Sequence, residues 1–304
     1  MCIRDRDISD GSIIKKIIVD AAGQNGLSSP IAVSIDNDFN IDVVYAGDLK
    51  GNIWRFDLTS ANSTDWSFSK LFSTEGSRPI TGALTVGNHP ANRTGRVVYF
   101  GTGEYLQASD LNDSATEYFY AIADNDECFS SSACIHSSEL LSQTIDSAEN
   151  NGRTISNNSI DWQQHEGWRL PLSAIDGIAE RVVGRPLLIG SQLVFNSIVP
   201  SSDRCNSGGE TFTYSLNRNN GGLVKAPTID YNADGIVNQD DKVEGNLVVA
   251  GRLDSVSDIN NDPIPELIIL SSADGEQRCI NVAGRCIMIE NPDRAGRVSW
   301  LQIK

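Results

Sequence analysis

Apolar residues recur along this chain in short runs rather than at helical spacing. Runs rich in β-branched and aromatic residues lie at Ile13 to Val19, Asp42 to Ala46, Ile53 to Leu58, Arg96 to Gly101, Tyr118 to Ile122, Leu187 to Ile189, Leu193 to Ile198, Thr211 to Leu216, Leu247 to Ala250, Glu266 to Leu270 and Arg297 to Ile303. Gly, Asn, Asp and Ser separate them, the punctuation of strands and tight turns. The pattern predicts an all-β fold: a sandwich, a barrel or a propeller.

The grouping of the runs favours a β-propeller. One unit spans Ser29 to Leu58, with strands at Val43–Ala46 and Ile53–Phe56 joined by a tight turn at Asp48–Asn52. Others run from Arg78 to Asp124, from Val182 to Gly222, and onward from Asn246. The units share a layout but not residues. A blade cannot bury both faces alone, so it must stack on its neighbours. We expect about four blades, a low count for closure, and hence a propeller truncated at the N-terminus. Residues 7–304 are assigned to this domain. Met1 to Arg6 (MCIRDR) is expected to be a non-native scar, because it lacks the apolar region of a secretory start. The Ser-, Asn- and Asp-rich stretch 128–159 is expected to be a long loop insertion, and Trp162 and Trp168 after it to be packing residues.

Charge narrows the partners. Lys and Arg number 24 against 40 Asp and Glu, a net charge of −16. Such a chain repels nucleic acid and anionic lipid. The apolar runs are strand-sized, so no transmembrane span is expected. Cys128 with Cys134, and Cys279 with Cys286, are close pairs in polar, loop-like stretches. Local disulfides fit an oxidising, extracytoplasmic compartment, with free thiols as the alternative. The spacing does not suit zinc. Cys205 has no evident partner.

Some of the acids stand in ordered ligand patterns. Asp230 to Asp241, DYNADGIVNQDD, follows the twelve-residue calcium loop. Asp230, Asn232 and Asp234 take positions one, three and five, and Gly235 the sharp turn. Ile236 offers its carbonyl at seven, Asn238 serves nine, and Asp241 closes the loop. A second series is Ser34, Asp36, Asp38, Asn40 and Asp42, in which Ser34 takes the first Asp position and Phe39 the Gly position. A third is Asp258, Asn260, Asp262, Ile264 and Glu266, with Pro263 at the Gly position. Calcium is a hard cation that takes six to eight oxygens, which such spacing supplies from one turn of chain. Solvated acidic turns are the alternative for each.

No catalytic constellation emerges. The histidines are His89, His136 and His165, none beside a candidate nucleophile, and G-x-S-x-G, P-loop and H-E-x-x-H motifs are missing. Gly101–Gly103 reads as a turn leaving a strand. Asp42 and Asp48 could imitate a glycosidase dyad, but propeller turns hold many such pairs. The chain is expected not to be an enzyme.

Several segments resemble the PilC/PilY family of type IV pilus tip-associated proteins. They are YAGDLKGNIWRFDL (Tyr45–Leu58), RPIT (Arg78–Thr81), VYFGTGEYL (Val98–Leu106), GWRLPL (Gly167–Leu172), GIAERVV (Gly177–Val183) and FNSIVPSSDRCNSGG (Phe195–Gly209). The resemblance implies a C-terminal propeller with quinoprotein-like blades, secreted or at the cell surface, serving pilus assembly, retraction control and adhesion. It implies pilins or minor pilins as partners, with host or surface ligands held by a region outside this chain. By position, the family's regulatory calcium loop falls on Asp36, Asp38, Asn40 and Asp42. A quinoprotein dehydrogenase and the structural propeller of an unrelated secreted adhesin are the alternatives.

Overall fold

The computed structural model describes residues 1–36, 38, 40–91, 95–126, 128, 132–147, 152–201, 209–232, 236–243 and 245–253, together with strands at 267–271, 278–282 and 285–288. It is an all-β molecule, with only short 3-10 turns as helix among the described residues.

Three consecutive antiparallel meanders form the blades. Blade 1 is β3 (Ile31–Val33), β4 (Val43–Gly47), β5 (Asn52–Asp57) and β6 (Ser67–Ser73), in that order. Blade 2 is β7 (Thr85–Asn88), β8 (Arg96–Gly101), β9 (Tyr118–Asp124) and β13 (Gly167–Pro171). Blade 3 is β16 (Leu187–Ile189), β17 (Gln192–Val199), β18 (Glu210–Asn217) and β21 (Ala250–Leu253). A three-stranded sheet follows, with β22 (Leu267–Ser271), β23 (Arg278–Val282) and β24 (Arg285–Met288). An N-terminal hairpin, β1 (Cys2–Arg6) and β2 (Ile13–Ile18), lies against blade 1 through Ile17. Two small hairpins lie between these sheets in the chain: β14 (Ala174–Ile175) with β15 (Ile178–Ala179), and β19 (Lys242–Val243) with β20 (Asn246–Leu247).

The first strands of successive blades, β3, β7 and β16, touch in turn. Interior strands are covered on both faces, which is why β17 is buried at every position. One joint repeats. β4 and β8 each end in a glycine, Gly47 and Gly101, across which the segment leading into the next blade passes. A Cβ at Gly47 would lie 2.3 Å from Ile80 Cγ2, and one at Gly101 2.2 Å from Val182 Cβ. The crossing is then pinned by Ile80 N–H to Asp48 O (2.9 Å) and Val182 N–H to Thr102 O (3.0 Å).

Two cores fill the spaces between blades. Between blades 1 and 2 lie Leu71, Phe72, Phe100, Tyr120 and Ile122. Between blades 2 and 3 lie Phe119, Trp168, Phe195 and Tyr214. Phe195 stacks on Phe119 at 4.0 Å and on Tyr214 at 4.7 Å between ring centroids. Trp168 is fully buried, and Trp162 is partly buried against the same core and edge-on to His89. Both tryptophans are packing residues.

The stretch 128–159 departs from the expected loop. Its described parts run along the outer rim of all three blades. Ile135 makes a parallel bridge to Phe72 of β6. Leu141–Ser142 (β10) pairs with β13. Gly152–Ile155 (β12) pairs with β21 and carries Ile145–Ser147 (β11) outside it. A polar composition reads as loop, but added edge strands are held by backbone hydrogen bonds and need little apolar alternation. Cys128 and Cys134 form a disulfide there. Cys279 and Cys286 lie in strands β23 and β24 rather than in loops, with Cys279 opposite Met288 and Cys286 opposite Asn281.

Candidate metal centre

The connection from β3 to β4 carries the clearest site. One carboxylate oxygen from each of Asp36, Asp38 and Asp42 lies within 4.8 Å of the others. The chain reaches this shape by turning on its own side chains. Asp36 Oδ1 accepts from Asp38 N–H (3.0 Å), and Asp38 Oδ1 from Asn40 N–H (2.8 Å). The Asn40 backbone N–H, and then its side-chain amide, hold the Asp38 carboxyl below the ordinary carboxylate range. Asp42 Oδ2 accepts from Ile35 N–H at 2.6 Å, which folds the entry of the loop onto its exit. The loop is anchored to both neighbouring sheets: Leu58 N–H donates to Asp42 O (2.8 Å), and Arg96 Nη2 on β8 donates to Ile35 O (2.9 Å).

The donor set fits a hard divalent cation. Three carboxylates converge, those of Asp36 and Asp38 exposed to solvent, and the Ser34 hydroxyl at position one is buried with no hydrogen-bond partner among the described residues. A buried hydroxyl normally finds a partner, so an oxygen left over two residues ahead of the first carboxylate suits a ligand role. Asn40, fourth in the series, turns its side-chain amide onto Asp38 Oδ2 at 2.6 Å. Asn37 and Phe39 lie outside the described residues.

The loop Asp230–Asp241 is only partly described. Ala233, Asp234 and Gly235 lie outside the described residues. Asp241 is buried and gathers both ends of the loop. Its Oδ1 accepts from Tyr231 N–H (2.7 Å) and Asn232 N–H (3.2 Å), and its Oδ2 from Asn238 N–H (2.8 Å). Ile236 is exposed, and Asn238 Oδ1 accepts from Asp240 N–H at 2.6 Å. The series Asp258, Asn260, Asp262, Ile264 and Glu266, like Cys205, lies wholly outside the described residues.

Asp42 and Asp48 are not a catalytic pair in form. Asp48 is fully buried and fully engaged. Its Oδ1 accepts from Lys50 N–H, Asn52 N–H and Asn52 Nδ2, and its Oδ2 from Asn25 Nδ2, Asn52 Nδ2 and Trp54 Nε1. A carboxylate so saturated with donors shapes the β4–β5 turn and has no lone pair left for proton transfer.

Sequence reasoning missed the ionic junction beside the acidic loop. Arg55 on β5 reaches three carboxylates: Asp124 (Nε, 2.8 Å), Asp57 (Nη1, 3.1 Å) and Asp126 (Nη2, 2.7 Å). Tyr45 donates to the same Asp124 at 2.6 Å; burial and that carboxylate push its hydroxyl well above the ordinary range. It also missed a buried network in blade 3. Glu180 Oε1 accepts from Ser197 Oγ (2.5 Å) and Tyr214 Oη (2.7 Å), while its Oε2 lies 3.7 Å from Arg153 Nη2. Burial pushes the Glu180 carboxyl up against the pull of Arg153. These partners come from distant parts of the chain, and no local motif announces them.

Comparison with known proteins supplies the wider frame. The family profile described as the PilY1 β-propeller domain matches residues 1–158. The type IV pilus biogenesis factor PilY1 of Pseudomonas aeruginosa is 28% identical over 97% of this chain and 29% of its own length. A PilY1 homolog from Xylella fastidiosa is 30% identical over 66% of this chain and 15% of its own length. The chain thus spans less than a third of these relatives. The crystal structure of the Pseudomonas aeruginosa PilY1 C-terminal domain superposes with a TM-score of 0.77 at 23% identity, over 95% of this chain and 66% of that one. That likeness concerns the fold.

Proposed function

The chain belongs to the PilY1 β-propeller domain family, and on that premise we propose that it is a non-catalytic, calcium-binding module of type IV pilus biogenesis, working outside the cytoplasm. The observation that carries the calcium reading is the convergence of Asp36, Asp38 and Asp42, one carboxylate oxygen of each lying within 4.8 Å of the others. Asn40 completes this set. Asp230, Asn232, Asp234, Ile236, Asn238 and Asp241 form a second candidate set, and Asp258, Asn260, Asp262, Ile264 and Glu266 a third.

Bound Ca²⁺ supplies positive charge where carboxylates crowd. The protein's own part is mechanical. Asp42 ties the loop to β5 through Leu58, and Ile35 ties it to β8 through Arg96, so the order of the loop is felt at the junction of blades 1 and 2. Without the cation, repulsion among the acids loosens the loop and its grip on that junction. Control of this kind suits a pilus component whose contacts with pilins or minor pilins, and with surfaces in adhesion, are made and broken. The disulfide fits an oxidising compartment. No helix among the described residues is long and apolar enough to cross a membrane.

One preparation read twice tests this. Chelator-stripped protein is titrated with Ca²⁺ by calorimetry, then passed over immobilised minor pilins with calcium and with chelator. Saturable binding that falls by one site in Asp38→Ala, and retention that depends on calcium, are expected. A folded sample that takes up no calcium, or an Asp38→Ala variant with unchanged stoichiometry, removes this site. Retention indifferent to calcium removes the control.

A further inference from the structure

The β8–β9 connection of blade 2 is built unlike its counterpart in blade 1. There a tight turn, 48–51, joins β4 to β5, whereas residues 102–117 join β8 to β9. A connection of such length usually carries function or stays loose. This one is held from within. Arg181, buried in the segment that leads into blade 3, donates through Nη1 to Glu104 O and Asp110 O at 2.8 Å each. Its own backbone is paired in both directions with Ile198 of β17. Gly103 allows the close approach, since a Cβ there would lie 2.4 Å from Arg181 Cβ. On the loop itself, the buried Asp110 accepts at Oδ2 from Leu106 N–H (2.8 Å) and Gln107 N–H (2.9 Å).

What this framework presents to solvent is apolar in an acidic neighbourhood. Leu106 is 68% exposed, next to the half-buried Tyr105. An exposed leucine by itself means little. This one stands on backbone that Arg181 and Asp110 already fix, so seating it against a partner costs little further ordering. Glu104 and Asp113 are partly exposed on the same loop. The β14–β15 hairpin lies against the 3-10 turn Ala108–Asn112, donates Ala179 N–H to Asp113 O (2.8 Å) and exposes Asp176 at its own turn. Partial burial, and then the nearby Asp110 and Asp113, push the Glu104 carboxyl up. Among the described residues, Glu104, Asp113 and Asp176 form no salt bridge. No Lys or Arg stands in the chain between Arg96 and Arg153.

We infer that residues 104–113 form a docking surface, anchored by Leu106, for a protein partner that offers an apolar pocket rimmed by Lys and Arg. The leucine fills the pocket, and the rim cations pair with Glu104, Asp113 and Asp176. Complementary charge of this kind speeds encounter and turns away acidic surfaces. A second copy of this chain, at a net charge of −16, is such a surface. The inference rests on the pilus reading above for the identity of the partner, which that reading makes a pilin or minor pilin.

Surface plasmon resonance on immobilised minor pilins, with calcium present, tests the docking surface. The parent is compared with Leu106→Ala and with the Glu104→Gln/Asp176→Asn double variant. Thermal unfolding and calcium uptake of both variants are expected to match the parent. Leu106→Ala is expected to bind about tenfold more weakly. The double variant is expected to lose affinity at low salt and to approach the parent at high salt. Equal binding by the parent and Leu106→Ala overturns the docking surface and leaves the pilus reading standing. A double variant that binds as the parent does at low salt overturns the basic rim. A parent that minor pilins do not hold overturns both the surface and the pilus contact. Self-association of the parent, seen by light scattering and abolished in Leu106→Ala, would make a second copy the occupant and overturns the choice of partner.

Discussion

The two interblade junctions are both packed with buried aromatic rings and differ in how their charged groups are held. Between blades 2 and 3, Phe119, Phe195 and Tyr214 stack in a dry core, and the polar groups among them are closed off. Arg181, buried there, donates to the carbonyls of Glu104 and Asp110 at 2.8 Å each. Between blades 1 and 2, Arg55 is shared by Asp57, Asp124 and Asp126, of which Asp126 is open to solvent. The acidic loop attaches at that junction, and Ile135 of the rim stretch bridges Phe72 there. Rigid aromatic packing fixes the relation of blades 2 and 3. Charge pairs with one partner partly in water leave the junction of blades 1 and 2 open to screening by salt.

The largest way to break this contrast is at Glu180. Removing it takes the carboxylate away from Arg153, which is buried over the Phe212 ring at 4.1 Å, and the acceptor away from Ser197 and Tyr214. Breaking a buried pair from one side costs about 3–5 kcal/mol. Glu180→Ala is expected to lower the urea midpoint sharply, whereas Ser197→Ala, which removes one donor and leaves the pair, costs about 1 kcal/mol. Equal, small losses in both would show that the dry junction does not rest on this network.

Next in size is Glu117, which lies where the connections of both junctions meet. Thr102, Arg78 and Arg181 favour its charged form, and Asp113 opposes it. Burial outweighs the rest and pushes its carboxyl up to about 7. The proton is therefore held more tightly in the folded chain than in the unfolded one. Stability is greatest below the ordinary carboxyl range and is lost as pH rises towards 7. Glu117→Gln removes that loss. It is expected to be nearly neutral at pH 4.5 and to stabilise by about 2–3 kcal/mol at pH 8, read as the difference in thermal unfolding between the two pH values. A variant whose advantage does not grow with pH would place Glu117 in contact with water.

What could be read in the chain beforehand was what repeats locally. The strand runs, the Gly-terminated β4 and β8, and the spacing of Asp36, Asp38 and Asp42 depend on near neighbours, and side-chain period and turn chemistry carry them. Arg55 meets Asp124 and Asp126 only because β5 and β9 belong to adjacent blades, and Glu180 meets Arg153 and Tyr214 across blade 3. Such pairings leave no mark on local pattern. The rim strands were hidden for another reason: β10 and β11, Leu-Ser and Ile-Asp-Ser, are held by main-chain bonds to an existing edge, so composition alone makes them look like loop.

The smallest effect probes the open side of the Arg55 cluster. Asp126 has a positive φ of 60°, a conformation that asparagine also tolerates, so Asp126→Asn changes charge without forcing the backbone. Arg55 keeps Asp124 and Asp57, and a partly exposed pair is worth about 0.2–1 kcal/mol. The variant is expected to lose no more than that at low salt and to match the parent at high salt, where screening has already weakened the pair. Thermal unfolding across a salt series gives the answer. A penalty that persists at high salt would mean that Asp126 acts through buried packing, and would make the junction of blades 1 and 2 as closed as its neighbour.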